Sequence, residues 1–267
     1  MATLALHSAA TGLNALATEL DVISNNLANA NTTAFKTQRA NFEDLLYQHK
    51  KQPGVENANG DHNPAGLQVG LGVQVSNTQF NFAQGAAQPT GRELDVLIEG
   101  NGFFEVSILG EQGGGIGYTR AGNLFANRDG DLVVGSSSGP RIEPNITVPA
   151  DTRAINVSAD GTISVTGEDG TATEIGQLTL STFVNREGLQ SIGGNTYVAT
   201  DASGPPIQGV PGEGSLGTIL QGHLEGSNVD PVTELVSLIK TQRAFEMNSQ
   251  SIEAADEVMQ VVGRLGQ

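Results

Sequence analysis

Apolar residues near the start of the chain recur every three or four positions. Between residues 6 and 30 the steps alternate between three and four for more than three heptads. Such spacing places the side chains along one stripe of an α-helix and is typical of a coiled-coil seam. The stripe consists of Leu6, Ala9, Leu13, Leu16, Leu20, Ile23, Leu27 and Ala30. A second helical piece is predicted through Phe35, Phe42, Leu45 and Leu46.

The end of the chain carries a related pattern. Asn228 or Asp230 is suited to cap a helix in which Pro231 takes the first position and Glu234 lies in the first turn. An apolar column then recurs every seven residues, at Leu238, Phe245, Ile252 and Met259. The companion column turns polar after its first position and reads Leu235, Gln242, Ser249 and Asp256. Polar core positions weaken a helix pair but can fix its register.

The two helical segments allow two interpretations. They are two amphipathic helices on one globular core, or they form a pair between the chain ends and then between copies of the chain. We favour the second, because a helix with a half-polar face covers little of so long a seam. The predicted assembly interface consists of Leu6, Leu13, Leu16, Leu20, Ile23, Leu27, Leu235, Leu238, Phe245, Ile252 and Met259.

The middle of the chain has a different texture. Residues 48–66 are rich in Gln, Asn, Gly and Pro, which is typical of an extended loop. From residue 70 to about residue 223, short alternating stretches predict β-strands. Dipeptides between them predict hairpin turns, at Asp129-Gly130, Asp160-Gly161, Asp169-Gly170 and Glu187-Gly188.

The predicted fold class is therefore α+β, with an all-β domain inserted between terminal helices that form a coiled-coil-like inner domain. The predicted boundaries are 1–46 for the N-terminal helical segment, 47–69 for the extended loop, 70–223 for the β-rich outer domain and 224–267 for the C-terminal helix.

Composition narrows the possible partners. The 267 residues include 13 basic and 29 acidic ones, for a net charge of −16. Nucleic acids and anionic membranes attract basic surfaces, so neither is expected as a partner. The absence of Cys excludes disulfides and thiolate chemistry. No apolar run is long enough to span a membrane. The first basic residue is Lys36, so an ordinary secretory signal peptide is not expected.

Motifs for catalysis occur only as isolated strings. Residues 135–139 match Gly-x-Ser-x-Gly, but Pro140 follows where a nucleophile elbow needs a helix. Residues 212–217 match Gly-x-Gly-x-x-Gly, yet they follow Pro211 instead of a strand. The four histidines lie in separate segments without metal-ligand spacing. We therefore expect no catalytic, cofactor-binding or metal-binding residues and no enzymatic activity.

Four strings in the chain resemble those of bacterial flagellar rod and hook proteins. Residues 24–29 with Phe35-Lys36 are similar to the N-terminal signature of that family, and residues 227–246 to its C-terminal signature. Residues 100–104 and 118–122 are similar to strings of its β domain. Four strings in this order are highly specific. The signature positions are Asn25, Asn26, Leu27, Ala28, Asn29, Phe35, Lys36, Ser227, Asn228, Val229, Gln242, Arg243 and Ala244.

Within this family, residues 42–48, 52–54, 66–70 and 183–197 resemble the distal-rod members. The resemblance implies a structural subunit of the distal rod of the flagellar basal body. Such a subunit polymerises helically into a rigid drive shaft that transmits motor torque to the hook across the periplasm. Ala34 departs from the family pattern, which commonly has Gly before Phe-Lys.

The resemblance also implies partners and a location. The partners are further copies of the chain, proximal rod subunits, the hook protein, the peptidoglycan and outer-membrane ring proteins, and the flagellar type III export apparatus. The location is the periplasmic rod, reached without a cleaved signal peptide. The terminal helices would line the inner tube, with the β domain outside them.

Three alternatives stay open. A hook or proximal-rod subunit shares both terminal signatures, and only residues 42–70 separate it from a distal-rod subunit. A peptidoglycan-acting enzyme of the rod region is an alternative of a different class. A third is an envelope binding module built on the β domain.

Overall fold

The computed structural model describes residues 2–52, 54, 65–108 and 112–265. Over these ranges the chain is α+β, with a helix towards each end and a β-rich middle, as predicted. It divides into two compact units. Unit 1 comprises Met1–Ala28, Gln38–Phe80 and Asp230–Gln267, and unit 2 comprises Asn29–Thr37 and Asn81–Val229. Each unit therefore combines stretches that are distant in sequence.

Unit 1 contains two helices that contact each other, α1 at Ala2–Ala28 and α2 at Pro231–Leu265. Asp230 caps α2, because its carboxylate accepts the N–H of Val232 at 3.0 Å and the hydroxyl of Thr233 at 2.6 Å. The hydrogen bond from Thr233, followed by that from Val232, lowers the pKa of Asp230. The prediction of a helix starting at Pro231 is confirmed.

Where the structure describes unit 1, it also has four strands: β1 (Gln38–Asp44), β2 (Tyr47–Lys51), β3 (Leu67–Gly70) and β4 (Val73–Phe80). β1 pairs with β4 and β2 with β3, both antiparallel. The middle of the predicted loop at residues 47–69, namely residues 53 and 55–64, lies outside the described residues. The segments on either side of it are the paired strands β2 and β3.

The predicted second helical piece through Phe35, Phe42, Leu45 and Leu46 was wrong, because residues 38–44 form strand β1. Residues 1–46 are consequently not helical throughout. Pairing with β4 decides the conformation: the guanidinium of Arg39 donates to Oε1 of Gln79 at 2.6 Å, across the two strands. Such cross-strand partners override weak local spacing.

The described residues of unit 2 form sixteen strands and two short 3₁₀ turns, at Gln112–Gly115 and Arg186–Gly188. The strands are β5 (Ala87–Pro89), β6 (Val96–Glu99), β7 (Phe103–Ser107), β8 (Ile116–Thr119), β9 (Leu124–Ala126), β10 (Leu132–Val134), β11 (Arg141–Glu143), β12 (Thr152–Val157), β13 (Thr162–Gly167), β14 (Ala172–Gln177), β15 (Leu180–Thr182), β16 (Gln190–Gly193), β17 (Thr196–Val198), β18 (Ile207–Gly209), β19 (Thr218–Gln221) and β20 (His223–Glu225).

The largest sheet of unit 2 has nine strands, in the order β16-β17-β8-β7-β11-β10-β9, with β15 also pairing with β7 and β18 pairing with β15. β12-β13-β14 form a second sheet, and β19 pairs with β6 and β20 with β5. All of these pairings are antiparallel.

Inward-facing residues of these strands form one core, together with Leu178 between β14 and β15. It includes Val96, Ile98, Phe104, Val106, Leu124, Leu132, Ile142, Ile163, Leu178, Leu180 and Ile219.

Three of the predicted turn dipeptides connect adjacent strands of unit 2. Gly130, Gly161 and Gly170 have φ values of 87°, 81° and 72°, a region that favours glycine. Glu187-Gly188 lies in the second 3₁₀ turn instead. The Gly-x-Ser-x-Gly string is the turn between β10 and β11, in which the N–H of Gly139 donates to the carbonyl of Ser136 at 2.8 Å.

Candidate assembly interface and signature segments

Within unit 1, the signature residue Asn26 joins α1 to β1. It is 2% exposed, donates from Nδ2 to the carbonyl of Gln38 at 2.8 Å and accepts the N–H of Gln38 at 3.0 Å. Its Nδ2 also lies 3.4 Å from Oε1 of Glu234 on α2. Burial raises the pKa of Glu234, and the bond from Asn26 opposes that rise. The side-chain amide of Asn26 thus pairs with both the N–H and the carbonyl of Gln38, the first residue of β1, as a neighbouring strand would.

Within unit 2, the C-terminal signature holds the segment that follows α1. Oδ1 of Asn228 accepts the N–H of Thr37 at 2.8 Å, and the N–H of Asn228 donates to the carbonyl of Phe35 at 3.3 Å. Nδ2 of Asn228 donates to the carbonyls of Asn81 at 2.8 Å and Ala83 at 3.1 Å. The two signatures, which are almost 200 residues apart in sequence, therefore meet through backbone hydrogen bonds.

The signature residue Lys36 belongs to a cluster of three buried charges that we call the buried triad, Lys36, Arg120 and Glu225. Nζ of Lys36 lies 2.5 Å from Oε1 of Glu225, and Nε of Arg120 lies 2.7 Å from Oε2. The side chains of Lys36 and Glu225 are fully buried and that of Arg120 is 3% exposed. Burial lowers the pKa of Lys36, against the attraction of Glu225.

Lys36 was identified from the sequence as a signature residue, and Arg120 lay in one of the strings that carried the resemblance. Glu225 was missed. Its only local signal is a single acidic residue in the short strand β20, just before the C-terminal signature. That signal is weak because exposed acidic residues are common in strands that end at a turn. Only its position opposite two cations reveals its role.

The backbone of residue 34 shows why the family commonly has a glycine at this position. Ala34 has a φ of 57°, in the left-handed region that favours glycine, and is 1% exposed. Its N–H donates to the carbonyl of Glu225 at 2.8 Å. The chain therefore makes the turn after α1 with a residue that costs more backbone strain but buries a methyl group.

The predicted seam of α1 is only partly covered in the single chain. Leu6, Leu13, Leu16, Leu20 and Leu27 are half-buried, and Ile23 is buried. The other buried positions of the helix are Gly12, Ala15, Val22 and Asn26.

Gly12 marks where α1 and α2 approach closely. A Cβ at Gly12 would lie 2.5 Å from Nδ2 of Asn248 on α2. Small residues at such a contact let two helix backbones come together. In unit 1, α1 thus contacts α2 through a face that lies next to the predicted leucine column.

The predicted columns of α2 are less covered than those of α1. Leu238 and Ile252 are half-buried, whereas Leu235, Phe245 and Met259 are 46%, 36% and 40% exposed. The most buried residue of the helix is Thr241, with Asn248 and Ala255 half-buried seven and fourteen positions later. This column lies one position before the predicted companion column. Of the signature residues on α2, Gln242 and Arg243 are exposed and Ala244 is half-buried.

A large part of the apolar surface of α2 is consequently exposed. Its exposed large apolar residues are Val232, Leu235, Val236, Ile239, Phe245, Met247, Val258, Met259 and Val261. Several of them lie outside the predicted columns, and the heptad spacing alone did not identify them.

The described part of the chain offers neither a metal site nor a membrane-spanning helix. No group of three or more histidine, aspartate or glutamate side chains there is arranged to hold a metal ion. None of the helices described is both long and apolar enough to span a membrane.

Sequence comparison identifies the class to which this architecture belongs. Residues 6–36 match the family described as flagella basal body rod protein, and residues 97–165 match the flagellar hook protein FlgE/F/G D1 domain. Residues 220–265 match the flagellar basal body rod FlgEFG protein C-terminal family. The first and last of these regions include the signature residues of both chain ends. The chain therefore belongs to the flagellar basal-body rod protein family, whose members are structural proteins.

Individual relatives indicate which kind of rod protein this chain is. The flagellar basal-body rod protein FlgG of Agrobacterium fabrum is 44% identical over 97% of this chain and 98% of its own length. The FlgG proteins of Buchnera aphidicola subsp. Schizaphis graminum and of Caulobacter vibrioides are 43% and 40% identical, over 96% and 98% of both chains. The predicted resemblance to distal-rod members is confirmed, and the protein is a structural subunit of the distal rod of the flagellar basal body.

Proposed function

We propose that this subunit polymerises helically through the apolar faces of α1 and α2 into a rigid drive shaft that transmits torque to the hook. The observation that carries the proposal is the large apolar surface of α2, exposed in the single chain of a protein that belongs to a rod family. A contact between different surfaces of successive copies builds a filament when its rotation does not close into a ring.

The energetic argument rests on the same side chains. Burying one large apolar side chain contributes roughly 1.5–3 kcal/mol. Phe245, Met247 and Val258, which are 36%, 62% and 58% exposed, still have much of this contribution available. Neighbouring copies that cover these residues would stabilise α2 in the polymer, in addition to its contact with α1.

An exposed position of α2 offers a direct test. Phe245→Asp places a carboxylate in the proposed contact without opening a fully buried site of the single chain. We expect the purified variant to keep its helical circular dichroism but to form no rods by electron microscopy and to leave cells non-motile. The matched control is Gln250→Asp, at an exposed polar position of the same helix, which should assemble. If Phe245→Asp forms normal rods, this face of α2 is not part of the polymer contact.

We further propose that the rod formed by these subunits joins proximal rod subunits and the hook protein at its ends and turns inside the peptidoglycan and outer-membrane ring proteins. In this proposal the subunit leaves the cell through the flagellar type III export apparatus, without a cleaved signal peptide, and takes its place in the periplasmic rod. Mass spectrometry of the subunit in isolated basal bodies would test this route, and an N-terminus starting far downstream of residue 1 would contradict it.

In the same proposal the subunit acts without catalysis. Its family consists of structural rod proteins, which supports this conclusion. Incubation of the purified chain with sacculi should release no muropeptides, and release by the wild-type chain that is lost on mutation of one of its carboxylates would favour the enzyme alternative instead.

A further inference from the structure

The buried triad of unit 2 assembles from three distant parts of the chain. Lys36 precedes Glu225 by 189 residues, and Arg120 precedes it by 105. Glu225 is the only acidic residue of the three, so one carboxylate balances two cations. Its Oε1 also accepts the N–H of Gly85 at 2.8 Å.

Among the described residues, the other hydrogen-bond partners of the two cations are neutral. Lys36 donates to the carbonyl of Ala83 at 2.7 Å. Arg120 donates to three carbonyls, those of Ile98 at 3.2 Å, Gly100 at 3.0 Å and Gly102 at 2.8 Å. Carbonyl dipoles satisfy the donors, but without the carboxylate of Glu225 they would leave both positive charges uncompensated.

The surroundings make uncompensated charge costly. Cζ of Arg120 lies 6.0 Å from the centre of the Phe103 ring, and Phe103 and Ile98 are 1% and 0% exposed. Removing one partner from a buried ion pair is strongly destabilising, because the remaining charge has lost its hydration without compensation. Before Glu225 is in place, closing the sheets would therefore bury Lys36 and Arg120 at full cost.

We propose that Glu225 is a folding checkpoint, so that the core of unit 2 closes around Lys36 and Arg120 only when β20 brings in its carboxylate. The last strand of the unit thereby decides when β6, β7 and β8 become protected. In a chain whose β20 has not docked, the core of unit 2 stays open, even if the other strands of the unit can already pair. This inference is independent of the polymer contact proposed above.

A pair of full-length variants tests the role of the charge. Glu225→Gln leaves an amide facing two cationic donors. Glu105→Gln is the matched control, because Glu105 is equally buried in unit 2 but accepts only neutral donors, Ser181 at 2.5 Å and Gln208 at 2.7 Å. We expect hydrogen exchange of unit 2 to lose its cooperative protection in Glu225→Gln and to keep it in Glu105→Gln. Equal, small effects of both changes would contradict the checkpoint.

The order of events is tested in the wild-type chain by refolding with pulsed hydrogen exchange. We expect peptides from β6, β7 and β8 to gain protection at the same rate as the peptide that contains residues 223–229. Protection of β7 and β8 well before that peptide would overturn the proposal.

A third variant separates charge from packing. The triple change Lys36→Met, Arg120→Met and Glu225→Leu removes all three charges and keeps long apolar side chains at the same positions. In this variant we expect β7 and β8 to become protected ahead of residues 223–229 during refolding. If they still wait for β20, the delay comes from strand pairing and the charge argument is wrong.

Discussion

The two units of the molecule bury their apolar residues to very different extents. Unit 2 encloses large side chains almost completely, for example Val96, Phe104 and Leu132 at 0–1% exposure. In the described part of unit 1, Val22 and Ile23 are the buried large apolar residues, at 9% and 5% exposure, and most of the large apolar residues of α2 are exposed. Unit 2 thus has an enclosed apolar core, whereas unit 1 leaves apolar surface exposed, which the proposed polymer contact would cover. In the proposed function, assembly therefore depends on unit 1, whereas the closed core belongs to unit 2.

The largest expected effect concerns unit 2 in isolation. The predicted β domain, residues 70–223, omits Lys36, Glu225 and Asn228, so we expect that fragment not to unfold cooperatively. The N–H of Asn81 donates to the carbonyl of Thr37 at 2.8 Å, so a short Gly/Ser linker can replace residues 38–80. A chain of residues 29–37, this linker and residues 81–229 should melt as one β-type unit in circular dichroism.

If the fragment of residues 70–223 melted as cooperatively as the linked chain, the contributions of both signature segments to unit 2 would be dispensable. The contrast between the units would then not depend on the buried triad.

The next largest effect concerns assembly. Leu20→Asp puts a carboxylate on the predicted seam of α1, where a Leu contributes roughly 1.5–3 kcal/mol when fully buried. We expect no rods and no motility, while the thermal transition of unit 2 stays unchanged in calorimetry. Thr18→Asp, on the same helix and off the seam, is the control and should assemble. Assembly of Leu20→Asp at the wild-type level would show that the seam of α1 is not part of the polymer contact.

A smaller effect is expected where α1 approaches the loop before β4 in unit 1. Gly72 has a φ of 119°, and a Cβ there would clash with Oγ1 of Thr11. Gly72→Ala should destabilise unit 1 by about 1–3 kcal/mol, the usual cost of a residue held in an unfavourable backbone region. Denaturant unfolding followed by hydrogen exchange of α1 measures it.

Gly91→Ala is the control for Gly72→Ala, because Gly91 has a φ of 70° and open space around it. Adding Thr11→Ala to Gly72→Ala should recover the part of the loss that is due to the clash. No recovery would assign the whole effect to the backbone.

The smallest effect is the pH dependence of the α2 cap. Hydrogen bonds lower the pKa of Asp230 below its ordinary value of 3.8. The carboxylate therefore stabilises α2 above about pH 3.8, and this contribution is lost as the pH falls through the lowered pKa. Asp230→Asn keeps a cap without a titrating group. Helicity of the wild type should fall more steeply than that of the variant below pH 3.8, and parallel curves would argue against a charged cap.

Much of the architecture follows from short-range pattern. Heptad spacing was sufficient for α1, and the cap and Pro231 for the start of α2, because helix hydrogen bonds join residues four apart. Asp-Gly dipeptides marked three turns of unit 2 because only a few residue types accept a positive φ. Family strings at both chain ends identified the class of protein, since they are contiguous in sequence.

Tertiary contacts decided what these patterns left open. β1 is a strand because β4 pairs with it, although its apolar spacing allowed a helix. Glu225 is essential to the buried triad through partners 105 and 189 residues away, a distance over which no local periodicity carries information. The covered face of α2 is the one that carries Asn248, which lies against Gly12 of α1. Local spacing encodes the preference of neighbouring backbone groups, whereas these choices depend on which distant surfaces bury one another.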